Sequence, residues 1–124
     1  MGIRFLKIAV VYLLVGVTLG LVMGIRGNFA LAPVHAHLNL LGWAALALAG
    51  LIYHLHPAAA NTKLAHVHFW MHNLTLPVMM CSLALLLSGY EAADPVVGIT
   101  SMVMVAALFV FAVNVFVNVK APAP

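Results

Sequence analysis

Carboxylates are almost absent from this chain: Glu91 and Asp94 are its only acidic side chains, against five Lys and Arg in 124 residues. A di-iron carboxylate centre needs several Glu and is excluded. So is a proton-pumping relay of membrane-embedded acids, because both acids fall in a connection between apolar runs. The single cysteine, Cys81, allows no disulfide framework within one chain. It lies inside an apolar segment and is expected to pack there, with a soft copper site shared with Met79 or Met80 as the alternative. No Ser/His/Asp arrangement, Gly-rich phosphate loop or c-type haem attachment motif is present. So few charges also exclude an ordinary water-soluble domain, about a quarter of whose residues are charged. The isoelectric point near 9.4 then reflects membrane topology rather than a basic patch, and no nucleic acid partner is expected.

Apolar residues make up 66% of the chain, and a spanning helix needs roughly 20 of them in sequence. Four stretches qualify: Phe5 to Ile25, Pro33 to Tyr53, His66 to Ser88 and Pro95 to Asn118. The expected fold class is all-α, a polytopic membrane protein of four up-down helices forming one domain over residues 1–124. The first run follows Arg4 and Lys7 but is about twice the length of a signal-peptide core, so it reads as a spanning helix. Arg4, Lys7, Lys63 and Lys120 lie on one side, and Arg26 shares the other with Glu91 and Asp94. Positive charge marks the cytoplasmic side, which predicts a multi-pass protein of the inner membrane with both termini cytoplasmic.

Turn formers separate the runs: Arg26-Gly27-Asn28, His56-Pro57, and Glu91 to Pro95. The tail Ala121-Pro122-Ala123-Pro124 cannot continue a helix. Gly16, Gly20 and Gly24 recur every four residues, so they share a helix face that lets another backbone approach. Pro77 should bend the third helix beside His72 and free the carbonyl of Asn73.

Against this apolar background stand seven histidines. Titratable groups are costly in a bilayer, and they read by default as parts of a site. Most fall in His-x-His pairs: His35/His37, His54/His56 and His66/His68, with His72 one turn beyond His68. Each helical residue advances about 100°, so His35 and His37 project on nearly opposite faces and serve two different sites. His68 and His72 share a face, and such a pair can grip one metal ion. His35 and His37 belong to the outer end of the second helix, with Asn39 and Trp43 placed to orient or shield them. Trp43 serves equally as a packing aromatic. The other five histidines belong to the cytoplasmic end, on the order of 20 Å away. His54 and His56 read as interfacial residues, whereas His66, His68 and His72 form the second candidate metal group. Neutral imidazole ligates haem iron, copper and zinc.

The stretch His35-Ala36-His37-Leu38-Asn39-Leu40-Leu41-Gly42-Trp43 resembles the His-x-His helix of haem-copper oxidase catalytic subunits, particularly the cbb3-type oxidases and the nitric oxide reductases. That resemblance implies His35 as ligand of an active-site haem and His37 as ligand of an electron-transfer haem. The family's catalytic subunit has three four-helix arcs, each carrying its metal-binding histidines on the second helix. This chain looks like one arc, so a homotrimer would rebuild the ring. The cofactors so implied are haem b, copper or both, with zinc as a further option. The chemistry would be electron transfer, or binding or reduction of O₂ or NO, with electrons from a quinol or a small donor protein.

Two other classes fit the same residues. One is copper or zinc transport or chaperoning, with Met79, Met80, Cys81 and the histidines as a ladder across the membrane. The other is a structural subunit that docks its glycine face on a larger membrane complex.

Overall fold

The computed structural model describes residues 1–120, and the expectation for the Ala121–Pro124 tail lies outside the described residues. The chain is an all-α polytopic protein. Its four long helices are α1, Gly2–Arg26; α2, Ala32–Leu55; α3, Lys63–Leu87; and α4, Asp94–Asn118, the last led in by a short 3₁₀ turn over Glu91–Ala93. All four are long and apolar enough to cross a membrane. They extend the expected spans by a few residues at most ends.

Each boundary has a local cause. α1 ends at Gly27, whose φ of 61° is left-handed, a conformation that glycine adopts without steric cost. The N–H groups of Gly27 and Asn28 then satisfy the carbonyls of Gly24 and Met23 at 3.3 and 3.2 Å. Pro33 sits in the first turn of α2 and Pro95 in that of α4, where no N–H partner is needed. Thr62 caps α3 by accepting from the Ala65 N–H at 3.1 Å. Within α2, residues Leu38–Ala45 wind as a π-helix, a wider winding frequent at functional sites that periodicity did not announce. α3 runs unbroken through Pro77.

Packing pairs α1 with α2 and α3 with α4. Water supplies no driving force between helices in lipid, so close backbone approach is what remains. Glycines on both partners provide it: a Cβ on Gly50 would fall 2.9 Å from the Gly2 carbonyl oxygen, and one on Gly42 would fall 2.6 Å from the Tyr12 ring. Phe5, Tyr53, His68, Phe69 and Phe111 then form an aromatic cluster that brings all four helices together at the end bearing the termini. A second core of Val34, Leu38, Leu76, Met79, Met80 and Met104 fills the opposite half. Outward positions are apolar, Phe116 being 88% exposed, which suits contact with lipid chains.

Candidate functional site

The expected glycine face of α1 is divided by the structure. Gly16 and Gly20 seat side chains of α2: a Cβ on Gly16 would meet the Asn39 amide at 2.7 Å, and one on Gly20 would meet His35 Cε1 at 2.7 Å. Gly24 has nothing within 4 Å. The first two glycines therefore make room for the imidazole and amide of the His-x-His segment. His35 Nδ1 lies 2.7 Å from the Gly16 carbonyl oxygen. A carbonyl only accepts, and this contact is much shorter than the 3.4 Å approach of the Asn39 amide nitrogen to the same atom, so Nδ1 is assigned the proton and Nε2 the lone pair. Asn39 Nδ2 donates to the His35 carbonyl at 2.9 Å, bracing the same turn.

His37 points away from the bundle, as the 100° rule predicts, and is exposed. Its Nδ1 donates to the Pro33 carbonyl at 2.7 Å. His66 repeats the arrangement on α3, exposed, with Nδ1 donating to the Thr62 carbonyl at 2.9 Å. No hydrogen bond reaches Nε2 of His35, His37 or His66 among the described residues. A backbone carbonyl on one ring nitrogen, leaving the other free, is the usual setting of a metal-ligating histidine.

His68 and His72 are both about 1% exposed and belong to a different construction. His72 Nε2 lies 3.1 Å from the Leu41 carbonyl, within the π-helical stretch. That carbonyl must accept, so Nε2 bears the proton. With one proton per ring, His72 Nδ1 accepts from His68 Nε2–H at 3.3 Å, and His68 Nδ1 accepts from the Tyr53 hydroxyl at 3.2 Å. Tyr53 in turn accepts from Asn114 Nδ2 at 3.3 Å. Asn114 is fully buried. It also donates to the Ala59 carbonyl at 3.1 Å and accepts from Thr62 at 3.1 Å and Asn118 at 2.8 Å. The direction of every bond from Asn114 to Leu41 is thus set by the acceptor at its far end. As arranged, the row stops at a peptide carbonyl and passes no proton onward to His35.

The two histidine groups are closer than expected. Because His72 reaches Leu41, it is separated from His35 by roughly 9 Å of helical rise rather than most of the membrane. His66 does not join His68 and His72; it faces outward while they face the core. Trp43 packs against the core cluster that contains Phe5 and Tyr53, about two turns from His35. Cys81 is exposed whereas Met79 and Met80 are buried, so these three do not form one sulfur ladder. Tyr53, Asn114 and Leu41 were not singled out from sequence. Tyr53 immediately precedes His54, but only the fold shows that it meets a histidine fifteen residues on.

No group of three or more His, Cys, Asp or Glu side chains converges on one point among the described residues. Compared with known proteins, the chain matches no family model, no curated protein and no solved structure.

Proposed function

We propose that this chain is a haem-binding electron-transfer protein of the cytoplasmic membrane, with His35 and His37 as iron ligands. The reading is supported above all by the paired Nδ1–H bonds of 2.7 Å to the Gly16 and Pro33 carbonyls, which hold both rings in the tautomer that presents Nε2. The donors are of the right kind for the group: imidazoles on one helix, on opposite faces, in a segment free of carboxylates. Haem bound there would supply a one-electron couple and a position for O₂ or NO. His35, held over Gly20 inside the bundle, serves one iron, and His37, turned outward, serves another. Asn39 braces the ligand turn.

His37 lies about 8 Å along α2 from Ala32 and is exposed, so a haem held by its outward-turned Nε2 would need cover from outside the chain. Association of copies, three if they rebuild the ring that the His-x-His segment suggests, would provide it. Lys and Arg gather at the end carrying both termini, so by the enrichment of positive charge on the inner side that end would be cytoplasmic, and a quinol or small donor protein would supply electrons.

The test is a reduced-minus-oxidised visible spectrum of the detergent-purified protein, with metal analysis on the same sample. Soret, α and β bands that weaken in His37→Gln and disappear in the His35→Gln/His37→Gln double variant support the reading. Metal without haem would move the protein to metal handling, and neither would leave a structural subunit. Native mass spectrometry giving a stable monomer or dimer would remove the trimer.

A further inference from the structure

We propose that His68 Nε2 and His72 Nδ1 form a two-coordinate site for a single Cu(I) ion, a second centre beyond the haem reading. These two nitrogens already face each other at 3.3 Å inside the bundle. Imidazole–metal bonds are about 2 Å long, so a collinear N–Cu–N unit spans about 4 Å. An opening of about 0.7 Å accommodates the collinear ion.

Two hydrogens have to be rearranged: the one on the His68 ring changes nitrogen, and the Tyr53 O–H rotates away from His68, giving up its hydrogen bond there. His72 already has the required tautomer, with Nε2–H on the Leu41 carbonyl and the Nδ1 lone pair facing His68. His68 exchanges its Nε2–H for an Nδ1–H that donates to the Tyr53 oxygen, now the acceptor across the same 3.2 Å contact. The number of protons is unchanged, no electron moves, and the ion enters as Cu(I). Each ligand then has its outer nitrogen on an oxygen, the arrangement that orients metal-binding histidines. Phe5 stacks on the His68 ring at 5.1 Å and Phe111 lies 4.9 Å away, which hold the ring plane before the ion arrives.

The surroundings select the metal. Zinc in proteins takes four ligands as a rule, and no third or fourth His, Cys, Asp or Glu converges here among the described residues. Both acidic side chains, Glu91 and Asp94, lie at the α3–α4 turn and the start of α4, at the opposite end, so among the described residues no acidic side chain offsets a divalent charge. A monovalent d¹⁰ ion content with two nitrogens is what remains.

Wild-type protein in nanodiscs would be titrated anaerobically with Cu(I) against a chromogenic chelator, and the same sample measured by copper X-ray absorption and by ¹⁵N NMR of labelled histidine. Expected are one Cu(I) per chain, two nitrogen scatterers without sulfur, and protonation of His68 moving from Nε2 to Nδ1 on loading. Zn(II) in tenfold excess should not displace the copper, and His72→Gln should abolish binding. No tight binding by the wild type, sulfur or additional ligands in the absorption spectrum, an unchanged His68 tautomer, or full copper in a folded His72→Gln would each overturn the proposal. If His72→Gln does not fold, the wild-type spectra decide alone. A His35→Gln/His37→Gln variant separates the two readings: it should lose haem and keep copper.

Discussion

Replacing Asn114 by alanine should be among the most destabilising changes available in this chain. The side chain is fully buried, and three of its four hydrogen bonds leave its own helix, reaching Tyr53 of α2, the Ala59 carbonyl and Thr62. At roughly 0.6 kcal/mol for an average side-chain bond in a membrane protein, these three sum to about 2 kcal/mol. The space left by the amide adds about 1 kcal/mol, because close packing around a buried site relaxes only in part. Thr62 can fall back on Ala59 at 2.9 Å, which keeps the total near 3 kcal/mol rather than above it. Equilibrium unfolding in mixed detergent–SDS micelles measures this directly. Thr100→Ala is the control, since that hydroxyl bonds only carbonyls of its own helix, Val96 and Val97. A double-mutant cycle with Tyr53→Phe should return a coupling of about 0.6–1.7 kcal/mol for the shared bond. An Asn114→Ala loss within about 0.5 kcal/mol of the Thr100→Ala value, or a zero coupling, would refute the idea that this polar column ties α4 to α2.

Gly20→Ala places a methyl 2.7 Å from His35 Cε1, so it should displace the ring and cost the haem held by His35, up to half of the total, whereas Gly24→Ala, with open space around it, should leave the spectrum unchanged. Gly42→Ala meets Tyr12 at 2.6 Å and should cost about 1–3 kcal/mol in the same unfolding assay; an unaltered midpoint would show that α1 and α2 are not locked there. Cys81 is exposed on a membrane-spanning segment, and should react with an apolar membrane-permeant maleimide in the folded protein but only slowly with a charged one. Equal rates for the two reagents would place it in water.

Composition and run length determine the class of this molecule on their own. Four apolar stretches of the right length leave a chain no option but helices, because lipid satisfies no backbone hydrogen bond. The 3.6-residue period likewise suffices to put His35 and His37 on opposite faces and His68 with His72 on one. Which nitrogen each ring presents was beyond the reach of the sequence, because it depends on carbonyls nineteen residues away for His35 and thirty-one for His72. The π-helical winding of Leu38–Ala45, the division of the glycine face between Asn39 and His35, and the meeting of Asn114, Tyr53 and His68 are of the same kind. Periodicity reports which side of a helix a residue occupies. How deeply antiparallel neighbours overlap, and hence which polar groups meet, is set by the packing of bulky and small side chains between helices, and that only the assembled bundle decides.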